Sequence, residues 1–290
     1  MLWGLYLATA AFAWLRLLQA WTVKAPLYRS TPEMLWPFSW TELLGRAGLI
    51  PFYLLLLTMW AGLLLMPLLA WWHRSRGVRI AIATIYTLQA AYAGSFGKVS
   101  HADHMLLWTL IVFATVPTSA VRGGRLRDDW RLLRGVWHAQ VLVATFYFLS
   151  GSWKVLGGLV QLLIGEANLF RLDAMPRQIA ARLSQTAQTT PVGEWLIDHP
   201  LIATPLLWAA VALELAAILL PCKPRWQRAG GLALLALHVG IGLAMTIWFD
   251  ANLVVLLALF VFSPLAVGHQ KTKTPPRASE EASKSDGAAA

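Results

Sequence analysis

A lysine, a glutamate, an arginine and three histidines of this 290-residue chain stand inside or beside long apolar stretches. Charge is expensive to keep in such surroundings, so each is a functional candidate. Lys154 lies in Thr145-Phe-Tyr-Phe-Leu-Ser-Gly-Ser-Trp-Lys-Val-Leu156, with apolar residues running on to Ile164. Its ammonium can snorkel toward lipid headgroups. Alternatively it sits in an apolar pocket, where desolvation favours a neutral amine able to act as a general base. His101 and His104, in Lys98-Val-Ser-His-Ala-Asp-His104, share one helix face at i and i+3. With Asp103 they could hold a metal, but no third ligand follows at a suitable spacing. Proton handling or substrate orientation beside Lys154 suits them better. Ser100 and Asp103 also have the spacing of a capping box, which would simply start a helix.

Glu214 and His238 fall deeper, each about 10–12 Å from the cytoplasmic end of its span by helical rise. They are expected to be neighbours across a hairpin, and a hydrogen bond between them would relieve the burial of both. Such a pair could tie two helices together or take part in catalysis. Arg16, about 22 Å along the first span, is placed nearer the level of Lys154. It could hold an anionic substrate or an internal carboxylate.

The elements that must position these groups are transmembrane helices. Hydrophobic residues make up 58% of the chain and charged ones 13%, whereas soluble domains carry about 25% charged residues. The apolar residues come in runs long enough to cross a hydrocarbon core of about 30 Å as helix. The hydropathy predicts an all-α, polytopic bundle of eight spans: 1–22, 47–72, 80–96, 105–121, 136–156, 201–221, 230–248 and 251–267. Residues 1–267 then form one membrane domain, and the Pro/Ser/Ala-rich residues 268–290 a disordered cytoplasmic tail. The first span has no basic region before it and reads as uncleaved rather than as a signal peptide.

A net charge of +10 suggests nucleic acid until the basic residues are placed. They cluster between apolar runs, as membrane topology requires, so the partner is the bilayer and not a nucleic acid. Arg74, Arg76, Arg79, Arg122, Arg125, Arg127, Arg131, Arg134, Lys223, Arg225, Arg228, Lys271, Lys273, Arg277 and Lys284 lie on one side. Only Lys24, Arg29, Arg46, Lys98, Arg171, Arg177 and Arg182 lie on the other. This excess predicts cytoplasmic basic loops and termini, with 23–46, 97–104 and 157–200 facing outward. Within the last segment, Pro176 to Leu183 has Pro at a helix N1 position and Ile179 and Leu183 on one face. It reads either as a short interfacial helix or as a plain connector. The single cysteine, Cys222, excludes an intrachain disulfide and a cysteine metal cage.

Several of these residues together carry a resemblance. Lys98-Val-Ser-His101, Tyr147-Phe-Leu-Ser-Gly-Ser-Trp-Lys154, Leu237-His238 with Phe249, and Phe260-Val-Phe-Ser-Pro264 resemble the horizontally transferred transmembrane (HTTM) domain. That is the membrane domain of vitamin K-dependent γ-glutamyl carboxylases. The similarity runs over roughly residues 10–265, with Arg16 at the place of an arginine in the family's first span. The resemblance implies that Lys154 is the base that deprotonates a reduced quinone of the vitamin K type, with His101 and His238 near it. It further implies that Tyr147, His104, Glu214 and Arg16 line the quinol or substrate site. The active site would face outward, as the charge count independently has it. A bacterial inner membrane and a secreted peptide or soluble partner protein are the implied setting. The chain departs from the pattern after Lys154, where Val-Leu-Gly-Gly-Leu replaces an acidic, tryptophan-containing stretch, and the large extramembrane domain of the vertebrate enzyme has no counterpart. Two functions follow as expectations: a quinol-using membrane enzyme, or a non-catalytic membrane protein that helps mature or export a partner polypeptide. A transporter would call for discontinuous helices and inverted repeats, and the sequence has neither.

Overall fold

A computed structural model describes residues 1–22, 57, 60–94, 104–122, 126–165 and 169–266. All of its regular elements are helical. In chain order they are α1 (Leu2–Thr22), α2 (Met66–Trp71), α3 (Arg76–Gly94), α4 (His104–Thr115), α5 (Thr118–Arg122) and α6 (Leu126–Leu163). Then follow α7 (Ala174–Thr186), α8 (Pro191–Asp198), α9 (Pro200–Ala216), a 3₁₀ stretch (Ala217–Cys222), α10 (Pro224–Met245), α11 (Asp250–Leu256) and a π-turn segment (Leu257–Val261). Three of the described helices are long and apolar enough to cross a membrane: Trp130–Leu163 within α6, Pro200–Cys222, and α10. Eight spans were expected. Leu2–Leu15, His104–Thr115 and Asp250–Val261 are apolar but shorter.

Three helix starts are written in the sequence as prolines. Pro191, Pro200 and Pro224 open α8, α9 and α10 at their first position, where the missing N–H costs nothing. Thr190 caps α8 by accepting the Gly193 N–H at 2.9 Å. Pro221 cannot extend the α-helical ladder, and α9 accordingly tightens into 3₁₀ geometry. Pro117 likewise separates α4 from α5 inside what the hydropathy reads as a single span, 105–121.

Hydropathy marks where charges stop, not where a helix stops, and two boundaries show the difference. The helix expected at 136–156 is 38 residues long, about 57 Å, and reaches Leu163. The one expected at 230–248 begins at Pro224, carrying Arg225 and Arg228 on its first turns. The segment expected to face outward, 157–200, holds two separate helices, α7 and α8, among its described residues. The first, α7, starts at Ala174, two residues before Pro176, and buries both Ile179 and Leu183.

Helix α6 is the spine, packing against α4, α5, α9, the 3₁₀ stretch and the π-turn segment. The main core lies where α1, α3, α4, α6 and the C-terminal elements meet, with Tyr6, Tyr86, Phe113 and Phe260 fully buried. Two smaller clusters join α7 and α8 to α9 and α10: Ile179, Leu183, Leu196, Ala203 and Ala244, and Leu169, Ala174, Leu207 and Val211.

Polar side chains seal the core at two places. Gln140 of α6 donates to Gln227 of α10 (3.0 Å), the Leu259 carbonyl (2.5 Å) and Ser263 (3.1 Å). Arg79 is wholly buried and donates to the carbonyls of Phe113 (2.9 Å), His73 (2.9 Å), Arg74 (3.0 Å) and Val116. It thereby satisfies the carbonyls that the end of α4 would leave bare. His73 stacks on Tyr6 with centroids 5.3 Å apart, and burial lowers its pKa, with Arg74 and Arg79 adding to the effect.

Candidate active site

Tyr147, Gly151 and Lys154 follow one another at i, i+4 and i+7 along α6 and so share a face. That face meets α9 and α10. On α9 the buried positions Ala203, Thr204, Leu207, Val211 and Glu214 keep helical spacing, which aims Glu214 inward. On α10 the corresponding series is Gln227, Gly231, Leu234, His238 and Gly242.

Gly151 sets the distance between α6 and α9. A Cβ there would come within 3.1 Å of Glu214 Cβ and 3.2 Å of the Leu215 nitrogen. With no side chain in the way, Lys154 Nζ reaches both carboxylate oxygens of Glu214, at 2.5 and 2.6 Å. The Glu214 side chain is 7% exposed and that of Lys154 41%, so the carboxylate is enclosed and the amine faces an opening. About two turns toward the N-terminus of α6, the Tyr147 hydroxyl and His238 Nε2 share a hydrogen bond of 2.5 Å. Phe249 packs against the imidazole with centroids 5.0 Å apart, and Nδ1 is buried without a partner.

The opening beside Lys154 is a cavity of about 370 Å³. Its apolar walls are Trp153, Leu169 and Leu207, and Gln161, Arg177 and Gln178 supply polar groups. Gly157 and Gly158 also line it. A Cβ on Gly157 would meet nothing within 4 Å, whereas one on Gly158 would lie 2.8 Å from Leu169 Cβ. Two glycines in a helix cost about 1 kcal/mol each relative to alanine, and here they leave a bare stretch of backbone along one wall. Helix α7 contributes Ala174, Arg177 and Gln178 to the rim. Arg171 and Arg177 both pair with Asp173, at 3.0 and 2.6 Å. The hydrogen bond from Arg171, followed by that from Arg177, holds the exposed Asp173 carboxyl below the usual carboxylate range. Two cations on one carboxylate leave the rim with a net positive charge.

The expected site residues separate into three groups. Lys154, Glu214, Tyr147 and His238 are brought together as two bonded pairs. The pairing differs from the sequence expectation, which joined Glu214 to His238 and set Lys154 at another level. The error lay in counting from a hydropathy boundary. Nine residues of α6 follow Lys154, about 14 Å of helix, so the helix does not end near it. His104, half-buried at the start of α4, does not line the cavity. His101, Ser100, Asp103, the Arg16 side chain and the tail lie outside the described residues. Among the described residues no three His, Cys, Asp or Glu side chains come together as a metal would require.

Sequence reasoning did not single out Gly151, Gly157, Gly158, Gln161 or Leu207 as site residues. The glycines had a signal of their own, because adjacent glycines inside an apolar helix demand a packing or access reason. Taken as a class, this is an all-helical protein with membrane-length helices and a charged pair at the inner end of an open cavity. Comparison of the chain with family models, with curated proteins and with solved structures finds no match.

Proposed function

We propose that this chain is a multi-pass membrane protein of eight spans with both termini cytoplasmic. It binds a reduced quinone in the cavity beside Lys154 and handles protons there while modifying a secreted peptide or a lipid-soluble substrate. The observation that carries this reading is the Lys154–Glu214 pair, enclosed on its carboxylate side and open to an apolar-walled cavity on its amine side. The HTTM resemblance, which rests on Tyr147, Gly151, Lys154 and His238, points the same way.

The residues present suit such a ligand. Trp153 and the backbone at Gly157 and Gly158 offer flat surface for a ring, Leu169 and Leu207 offer apolar walls, and Lys154 is the polar group within reach. When bound, a reduced quinone supplies an ionisable hydroxyl and reducing equivalents. Lys154 Nζ can donate to an oxygen in the cavity while remaining bonded to Glu214. Moving the shared proton from Nζ to the Glu214 carboxylate leaves a neutral amine, which can accept a further proton. The pair then carries one positive charge beside the anion it has generated. No isolated charge is created in low-dielectric surroundings, where the cost would be greatest. The Tyr147–His238 hydrogen bond ties α6 to α10 and holds the inner end of the site in place.

The close pairing of Lys154 and Glu214 also favours the second reading, a non-catalytic partner in peptide maturation or export, with the pair serving as a helix tie. Proteoliposomes supplied with menaquinol under air separate the two. Lys154→Arg keeps a cation for Glu214 but provides no nitrogen that deprotonates near neutral pH. Menaquinol consumption above the empty-vesicle background is expected to fall at least about a hundredfold, with the melting temperature little changed. Full activity in Lys154→Arg would exclude the amine as a base.

The topology has its own test. In a Cys222→Ser background, single cysteines at positions 100 and 124 are expected to react with a membrane-impermeant maleimide from opposite sides of the bilayer. Reaction of both from one side would overturn the charge count.

A further inference from the structure

We infer that the groove between α3 and α4 binds an anionic phospholipid, one acyl chain lying in the groove and the phosphate at Arg76. This rests on the membrane topology proposed above and concerns the opposite, cytoplasmic half of the molecule from the Lys154 cavity.

The groove is a second cavity of about 370 Å³. On α3 it is lined by Arg76, Ile80, Thr84 and Thr87, spaced as one helix face, and on α4 by Ile111 and Thr115. Small residues keep it open, and two of its three hydroxyls are spent elsewhere. Thr87 donates to the Ala83 carbonyl and Thr115 to that of Val112, each at 2.7 Å. What remains for a ligand is apolar surface and the Thr84 hydroxyl. Among the described lining residues Arg76 is the only ionisable one, and it stands at one end.

Length and charge identify the occupant. From Arg76 to Leu88, the innermost lining residue of α3, is twelve residues or about 18 Å of helix. One leaflet of hydrocarbon is about 15 Å deep. The groove therefore begins at headgroup level and runs the depth of a single acyl chain. Arg76 is exposed, and its Nε is steadied at 3.4 Å from the Ala114 carbonyl, while among the described residues its two terminal nitrogens have no acceptor. They form a fork suited to phosphate oxygens. Arg74 is exposed beside it, and the segments 60–94 and 104–122 themselves contain no acidic residue. Basic pockets between helices on the cytoplasmic side are the general form of anionic-lipid sites.

The test is native mass spectrometry of the full chain, delipidated in detergent and titrated separately with phosphatidylglycerol and phosphatidylcholine. The wild type is expected to retain phosphatidylglycerol about fivefold better. Arg76→Gln should bring that ratio close to one, and Arg225→Gln, at another basic segment, should leave it unchanged. Thr84→Phe fills the groove without touching Arg76 and should lower retention of both lipids about fivefold or more. Circular dichroism checks that each variant is folded. Equal retention of the two lipids by the wild type, or undiminished retention by folded Thr84→Phe, would overturn the inference and leave the membrane reading standing. Recovery of the chain from the aqueous fraction without detergent would overturn both.

Discussion

Glu214→Leu, with Lys154 left in place, is expected to destabilise the protein by about 2–3 kcal/mol. Removing one partner of an enclosed ion pair leaves the other charge uncompensated, typically at a cost of about 3–5 kcal/mol. The lower figure applies because Lys154 is 41% exposed and its ammonium can recover part of its solvation. The double variant Lys154→Met/Glu214→Leu should recover most of the loss, since an apolar pair of similar volume has no charge to strand. Thermal unfolding in detergent, followed by tryptophan fluorescence across the double-mutant cycle, measures this directly. Losses that simply add would mean that the two side chains are not coupled, and the site would lose its central feature. The same cycle bears on function. If the double variant is stable and fully active, the pair is a helix tie and the proton-handling role is wrong.

Arg79→Lys should cost more, about 3–5 kcal/mol. Four carbonyls, those of His73, Arg74, Phe113 and Val116, converge on one fully buried guanidinium. An ammonium offers three donors from a single atom and cannot span that set, and each buried acceptor left bare costs about 1–3 kcal/mol. Arg76→Lys, three residues away and exposed, provides the contrast, with an expected change within about 0.5 kcal/mol. The check is the difference in unfolding midpoint between the two variants. An Arg79→Lys protein that unfolds with the wild type would show that the buried arginine does not hold the end of α4.

Arg79 also shows where the sequence misleads. By position it is one of the basic residues that set topology, and nothing local separates it from Arg74 or Arg76. Only the end of α4, more than thirty residues away, turns it into a core residue. Gln140 and Gln227 are a parallel case, 87 residues apart and bonded to each other in the core. The amphipathic face of α7 lies at the other extreme. Ile179 and Leu183 are buried as their spacing requires, because a four-residue interval fixes a common face within one helix.

Composition and periodicity by themselves determined that this is a helical chain with membrane-length segments. They also placed Lys154, Glu214 and His238 inside those segments, because the cost of burying a charge is a property of its immediate neighbours. Only the tertiary structure decided that Lys154 meets Glu214 and that Tyr147 meets His238. It alone placed the Gly157–Gly158 stretch along the cavity wall. Which polar groups meet depends on where each helix begins and ends and on how closely two helices approach. At this site that approach is set by the missing side chain of Gly151, a contact between residues more than sixty positions apart.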